Sequence, residues 1–168
     1  MSSLTGATPH YENWYWRAET VPPGPAVIVD VDGVIADATH RQYLLEWPRR
    51  DWDDFFAACG EDGLIEPVAR TIELLDPALT VVLLTARPLR VQKETLRWLE
   101  TYGLRWDLLI MRNWGDYMAA PHFKRLTTQE LRAYGFDLRL AFEDDQRNVD
   151  MFHSEGVPCV YIHSGYHS

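Results

Sequence analysis

Two aspartates follow a short apolar run in the first third of the chain. Asp30 and Asp32 come after Ala26-Val27-Ile28-Val29, and Gly33 stands directly behind them. A short apolar run bounded by turn residues is typical of a buried strand, in which residues i and i+2 face the same way. Two like charges placed together repel each other unless a proton or a cation joins them. The spacing therefore predicts a metal-dependent site where this strand ends.

Polar residues also follow other apolar runs that read as buried strands. Thr85 and Arg87 lie at the end of the run that starts at Thr80, Glu143-Asp144-Asp145 follows the run from Leu138 to Phe142, and Lys124 opens the helix before that run. Ligands of open α/β sheets bind beyond the carboxyl ends of the strands. The set supplies carboxylates for Mg²⁺, a hydroxyl and one fixed cation, which is what phosphoryl transfer requires.

Strands and helices are predicted to alternate along most of the chain. The fold class this indicates is α/β, a Rossmann-like three-layer α/β/α arrangement with a central parallel sheet. The strands are predicted at 26–29, 80–85, 108–111, 138–142 and 159–162, and the helices at 66–75, 91–102, about 123–134 and 147–155.

We predict an N-terminal arm at residues 1–25 and one domain at 26–168. A small helical insert is expected after the first strand, at about 37–65, with Asp51 as the N-cap of a short helix. The arm carries an aromatic cluster that we expect to pack on the domain surface, and a partner-binding role for it stays open. Its members are Tyr11, Trp14, Tyr15 and Trp16.

The net charge of −9 argues against broad, salt-driven binding to nucleic acid. It does not exclude a nucleic-acid end as the substrate, because one terminal phosphate needs only local cations. No apolar stretch approaches the roughly 18 residues that span a membrane, and no secretory signal is visible. Two cysteines far apart in sequence, Cys59 and Cys159, fit reduced thiols in a cytoplasmic protein. The oligomeric state is open.

Taken in order, these residues resemble the four motifs of the haloacid dehalogenase (HAD) superfamily of phosphotransferases. The motifs are Asp30-Val31-Asp32-Gly33-Val34, Thr85, Lys124 and Glu143-Asp144, and the resemblance spans about residues 26–163. Val34 stands where the family usually has threonine. An acid at the position of Asp32 is found in the phosphatases and mutases of the superfamily.

The resemblance implies a role for each motif residue. Asp30 would attack phosphorus and form an aspartyl-phosphate, Asp32 would act as the general acid and base, and Thr85 and Lys124 would hold the phosphoryl oxygens.

The same resemblance implies a Mg²⁺ site. Its ligands would be Asp30, the backbone carbonyl of Asp32 and Asp144, with Glu143 supporting them from behind. Asp145 remains an alternative ligand to Asp144, because the run of three acids leaves the register open.

A finer resemblance points to the 3′-phosphatase domain of phage-type polynucleotide kinase-phosphatases. It implies a nucleic-acid 3′-phosphate substrate contacted by Arg87 and Arg112, each of which has a structural ion pair as its alternative. The features that carry it are Trp52-x-x-Phe55-Phe56, Thr85-Ala86-Arg87-Pro88, Trp98-Leu99, Met111-Arg112, Gly115-Asp116 and Phe123-Lys124.

Two other functions stay open. A small-molecule or nucleotide phosphatase is favoured by the acidic charge and by Tyr117-Met118-Ala119-Ala120, which stand where such domains tend to have basic residues. A non-catalytic phosphate-binding module is the more remote alternative. The insert is too short for a large cap, so the site should be open. No Gly-x-x-x-x-Gly-Lys run is present, so no linked kinase is expected in this chain.

Overall fold

The fold is a six-stranded sheet with helices on both faces. The computed structural model describes residues 11–113 and 115–167. The strand order is β1-β6-β5-β2-β7-β8, and β3 and β4 form a separate pair. The strands are β1 (Trp14–Trp16), β2 (Pro25–Val29), β3 (Ala36–Asp37), β4 (Gly63–Leu64), β5 (Thr80–Pro88), β6 (Leu108–Arg112), β7 (Asp137–Glu143) and β8 (Cys159–Tyr161); the α-helices are α1 (Trp52–Ala57), α2 (Glu66–Leu74), α3 (Gln92–Thr101), α4 (Ala120–Tyr134) and α5 (Gln146–Ser154).

Side chains alternate along the central strand between two hydrophobic cores. Val27 and Val29 of β2 belong to one core, with residues of α2 and α3, whereas Ala26 and Ile28 belong to the other, with residues of α4 and α5. A strand buried on both faces is typical of a parallel sheet covered by helices. The predicted three-layer α/β/α fold is confirmed.

The helices begin and end close to the predicted positions. Helix α4 starts three residues earlier than predicted, at Ala120, with Pro121 in its first turn, where a missing N–H costs nothing. It ends at Gly135, which has a φ of +115°. No helix within the described ranges is long and apolar enough to cross a membrane.

A sixth strand at the sheet edge comes from the predicted N-terminal arm. Trp14–Trp16 pairs antiparallel with β6, and the Asn13 side-chain amide donates to the Met111 carbonyl at 2.8 Å. The Trp14 side chain is buried in the core beside α4. Three of the four aromatic residues of the cluster, at 14–16, are thus part of the sheet, which sequence reasoning missed because three residues are too few for a periodic pattern. Residues 1–10 lie outside the described residues.

The insert at 37–65 is built from short helical turns. Two 3₁₀ segments, Thr39–Leu45 and Ala58–Glu61, flank helix α1. The Asp51 carboxylate accepts from the backbone N–H of Asp54 at 3.0 Å, so the predicted N-cap is confirmed. The antiparallel pair β3–β4 joins the two ends of the insert.

The edge strand yields a stability prediction. We expect W14A to lower the free energy of unfolding by about 3 kcal/mol, because a large buried aromatic side chain is lost. Y15A lies in the same strand but removes a side chain that is 41% exposed, and it should cost under ~1 kcal/mol. Urea denaturation of both variants measures the difference. Equal losses would contradict the assignment of Trp14 to the core.

Candidate active site

Three acidic side chains and one lysine meet where β2 and β7 end side by side. Asp30 follows β2, Glu143 ends the neighbouring parallel strand β7, and Asp144 comes next. Oxygens of these three buried carboxylates lie within 4.8 Å of one another. Lys124 Nζ lies 3.0 Å from Asp30 Oδ1 and 3.0 Å from Glu143 Oε2. The strand ends thus bring together four of the predicted motif residues.

The electrostatics of this cluster favour an additional cation. Burial and the charge of Glu143 raise the pKa of Asp30 well above its usual value, against the opposing effect of Lys124. Burial also raises the pKa of Glu143. For Lys124, burial lowers the pKa, but Asp30 and Glu143 outweigh it and the net pKa is raised. Three carboxylates face one ammonium, which leaves negative charge uncompensated.

The donor set fits a hard divalent cation. Carboxylate oxygens are the ligands that Mg²⁺ prefers, and three of them lie together in this cluster. The Asn148 side-chain amide donates to Glu143 Oε1 at 2.5 Å, and Lys124 occupies both Glu143 oxygens. Glu143 therefore has its oxygens engaged by the protein, whereas Asp30 and Asp144 are the ones better placed to accept a metal.

Gly33 makes the close approach of Asp144 to the first loop geometrically feasible. A Cβ atom at Gly33 would lie 2.2 Å from Asp144 Oδ2, and the residue has a φ of +79°. Both the backbone conformation and the space therefore require glycine. The same loop is tight, because the Val31 carbonyl accepts from the backbone N–H groups of Ile35 and Ala36 at 3.0 and 2.9 Å.

Asp144 and Asp145 have different surroundings. Asp144 belongs to the carboxylate cluster. Asp145 is the N-cap of α5: its side chain accepts from the backbone N–H of Arg147 at 3.0 Å and pairs with the Arg147 guanidinium at 2.7 Å. The contacts of Asp145 explain it as a capping residue, which leaves Asp144 as the better candidate ligand.

Asp32 lies in a second, charge-balanced network. Its Oδ1 accepts from Arg87 Nη2 at 2.6 Å and from Arg41 Nη2 at 2.7 Å. Burial raises the pKa of Asp32, but Arg87 and then Arg41 outweigh burial and lower it. The guanidinium contacts all reach Oδ1, so Oδ2 lies outside this network. The Asp32 side chain is 23% exposed, which leaves it accessible to a substrate.

Asp62 holds the two arginines in place. Its side chain is fully buried and pairs with Arg41 at 2.7 Å and with Arg87 at 2.9 Å. The Trp98 indole N–H donates to the Asp62 carbonyl at 2.7 Å. Arg41 and Asp62 come from the insert, and sequence reasoning missed both, because nothing local distinguishes them from surface charges.

The two arginines predicted to contact substrate have different environments. Arg87 is fully buried, and its guanidinium also donates to Thr95 Oγ1 at 3.1 Å. These contacts of Arg87 match the alternative interpretation given above, a structural ion pair. Arg112 is half-buried, packs over the Phe123 ring at 5.6 Å, and has no partner for its Nε among the described residues. Contact between Arg112 and a substrate therefore stays a prediction.

Thr85 lies buried in β5, in the strand next to β2. Its Oγ1 accepts from the backbone N–H of Arg87 at 3.1 Å, which fixes the hydroxyl.

Two residues after β8 also touch the cluster. Ser164 Oγ donates to Asp144 Oδ2 at 2.6 Å, and His167 Nε2 lies 3.2 Å from the same oxygen. Sequence reasoning missed them, although the rule that ligand sites lie beyond the carboxyl ends of strands applies to β8 as well.

Fold and site together define a class of protein: a phosphatase of the HAD superfamily, that is, a phosphoric monoester hydrolase. A family model described as "Polynucleotide kinase PNKP phosphatase domain" matches residues 24–167, and the chain belongs to this family. No curated protein sequence matches the chain significantly.

Solved structures agree with this assignment. One chain of the Pnkp1/Rnl/Hen1 complex is 26% identical to this protein, with a TM-score of 0.71. The match covers 84% of this chain and 46% of that chain. One chain of the Pnkp1/Rnl/Hen1 RNA repair complex is 24% identical to this protein, with a TM-score of 0.72. That match covers 89% of this chain and 45% of the other. This chain thus spans less than half the length of either. The class C acid phosphatase of Bacillus anthracis shares the fold at 16% identity, with a TM-score of 0.60. The match covers 88% of this chain and 69% of the acid phosphatase chain.

The buried network yields a stability prediction. D62N should lower the free energy of unfolding by about 3–5 kcal/mol, because two buried guanidinium groups lose one of the two carboxylates that they share. D53N removes an exposed carboxylate paired with Arg90 and should cost under ~1 kcal/mol. Urea denaturation of both variants provides the comparison. A D62N loss as small as that of D53N would show that Asp62 does not hold the arginines.

The raised pKa of Asp30 yields a pH prediction for the metal-free protein. An ordinary aspartate has a pKa of about 3.9. Since the folded state binds this proton more tightly than the unfolded state, unfolding free energy falls as pH rises from about 4 to the raised pKa. D30N removes this charge and leaves Lys124 paired with Glu143.

In EDTA, D30N should therefore be more stable than wild type at pH 8, and the difference should shrink as pH falls toward 4. Urea denaturation across this range measures it, with D150N as a control at an exposed aspartate of α5. Parallel pH curves for D30N and wild type would contradict the prediction.

Proposed function

We propose that this protein is a Mg²⁺-dependent phosphatase that removes phosphate from nucleic-acid 3′ ends through an aspartyl-phosphate on Asp30. The observation that carries the proposal is the buried cluster in which Lys124 Nζ lies 3.0 Å from Asp30 while Glu143 and Asp144 stand alongside. The match of residues 24–167 to the phosphatase-domain family supports the same chemistry.

In the first half of the proposed reaction, a carboxylate oxygen of Asp30 attacks phosphorus. The bond between phosphorus and the 3′ oxygen breaks, and the leaving oxygen takes a proton from Asp32. Lys124 and Thr85 hold the phosphoryl oxygens. Asp30, the Asp32 carbonyl and Asp144 would hold Mg²⁺, which when bound neutralises phosphate charge and stabilises the transition state.

In the second half, the Asp32 carboxylate takes a proton from water, and the water oxygen attacks phosphorus. The bond to Asp30 breaks, which releases inorganic phosphate and restores the Asp30 carboxylate. Arg87 and Arg41 keep the pKa of Asp32 low, which suits this base role. The negative charge of an incoming phosphate raises that pKa, which helps Asp32 to carry a proton in the first half.

The partly exposed Asp32 side chain and exposed aromatic residues on the insert support a polymer end as substrate. On the insert, Tyr43, Trp47 and Trp52 are 64%, 84% and 48% exposed, with Arg49 and Arg50 beside them. Exposed aromatic rings with arginine form stacking surfaces for nucleic-acid bases. One of the similar structures is an RNA repair complex. The free thiols of Cys59 and Cys159 are in keeping with a cytoplasmic protein.

A second candidate is a phosphatase of nucleotides or other small molecules. The net charge of −9 favours it, because a strongly acidic protein repels a polyanion.

A comparison of substrates tests the two candidates. We expect kcat/KM for a 3′-phosphorylated oligonucleotide to exceed that for a 3′-mononucleotide at least about tenfold, since each stacked base adds about 1–3 kcal/mol. Phosphate release should require Mg²⁺ and stop in EDTA. The same oligonucleotide with a 5′-phosphate is the matched control and should react far more slowly.

D30N should abolish release from every substrate. Equal kcat/KM for oligonucleotide and mononucleotide would favour the small-molecule candidate, and an active D30N would refute the role of Asp30.

A further inference from the structure

After β8 the chain crosses the edge of the carboxylate cluster. We call residues 163–167 the strap. At one point of the strap Ser164 and His167 contact Asp144 Oδ2, at 2.6 and 3.2 Å. At another, Tyr166 reaches the base of the insert. The strap therefore joins the candidate metal ligand to the insert.

The Ser164 hydroxyl has a defined direction. An ionised carboxylate only accepts hydrogen bonds, so Ser164 Oγ must donate to Asp144 Oδ2. The same Oγ accepts from the backbone N–H of Tyr166 at 3.2 Å. A Cβ at Gly33 would lie 2.2 Å from Asp144 Oδ2 and 2.9 Å from Ser164 Cβ. Asp144 Oδ2 thus lies between the strap and the loop that contains Gly33. The strap contacts named above involve Oδ2 and not Asp144 Oδ1.

Tyr166 fastens the strap to the insert. Its hydroxyl accepts from the backbone N–H of Ala38 at 3.0 Å and lies 3.2 Å from Thr39 Oγ1 and 3.3 Å from Asp37 Oδ1. These three residues open the insert. The same insert supplies Arg41, whose guanidinium holds Asp32. One short segment therefore touches both halves of the site.

We propose that the strap positions Asp144 for a divalent cation, with Ser164 as the residue that orients the carboxylate and Tyr166 as the residue that holds the strap in place. The inference rests on the proposed metal-dependent function. A hydrogen bond to a ligating carboxylate fixes its orientation, and its loss typically weakens metal affinity 10–100-fold. Because coupling between two sites is reciprocal, a cation bound at Asp144 also protects the strap.

Direct metal binding tests the role of Ser164. Mn²⁺ serves as the probe, and electron paramagnetic resonance measures free Mn²⁺ against protein concentration. S164A should bind Mn²⁺ about tenfold more weakly than wild type. S154A is the matched control: it removes a hydroxyl that donates to Met151 O at 2.6 Å at the far end of α5, and its Mn²⁺ affinity should equal that of wild type.

Activity and stability provide two further readouts. S164A should raise the Mg²⁺ concentration for half-maximal activity about tenfold, while kcat at saturating Mg²⁺ stays near the wild-type value. Its unfolding free energy in EDTA should match that of S154A. A loss of kcat that Mg²⁺ does not restore, or wild-type Mn²⁺ affinity, would overturn the proposal.

Hydrogen exchange tests the role of Tyr166. Mg²⁺ should slow exchange at the strap amides of wild type, and Y166F should lose this protection. Y161F is the control, since its exposed hydroxyl lies 3.4 Å from His163 and does not contact the insert. Equal protection in Y166F and Y161F would refute the fastening role.

D144N distinguishes failure of the strap from failure of the proposed function. If D144N abolishes Mn²⁺ binding but S164A does not weaken it, the strap proposal is wrong and the metal site stands. If wild type and D144N bind Mn²⁺ with equal affinity, Asp144 is not a metal ligand and the strap proposal is wrong; if wild type binds no Mn²⁺, the metal-dependent function is wrong as well.

Discussion

The contact between the buried Lys124 ammonium and two carboxylates is the interaction on which the site depends. A lysine taken out of water loses several kcal/mol of hydration, which only close opposite charges offset. Asp30 and Glu143 lie 3.0 Å from Nζ because their strands are parallel neighbours. The Lys124 ammonium in turn reduces the repulsion between the Asp30 and Glu143 carboxylates at this buried sheet edge. A compact point charge suits this position better than the wide fork of arginine.

The two charged networks of the site differ in balance, and this difference indicates where a cation belongs. Around Asp32, two carboxylates meet two guanidinium groups, and the charges cancel within the protein. Around Asp30, three carboxylates meet one ammonium. Even with the His167 imidazole counted beside Asp144, only the second network has more carboxylates than basic side chains, and a cation reduces that excess. The Asp32 side chain, the proposed proton-transferring group, and the candidate metal ligands thus lie in separate electrostatic environments, although Asp30 and Asp32 are two residues apart.

Residues at strand ends could be predicted from the sequence, because a parallel sheet brings the ends of its strands to one edge. Asp30, Asp32, Glu143 and Asp144 were found in this way. Arg41 and Asp62 could not be, since their partners are distant in sequence and their spacing has no local signature. The edge strand β1 was missed for a related reason: three residues give no measurable alternation, and only its pairing with β6 defines it as a strand.

The insert supplies part of one charged network and holds the strap that contacts the other. Its Arg41 and Asp62 orient Asp32, and its first residues receive the Tyr166 hydroxyl. A displacement of the insert would therefore disturb Asp32 and the strap on Asp144 together. The Asp32 side chain nevertheless stays partly exposed. Under the proposed function, selection among phosphate esters needs contacts outside the carboxylate cluster. Exposed aromatic rings, which bind by stacking, can provide it without closure over the substrate.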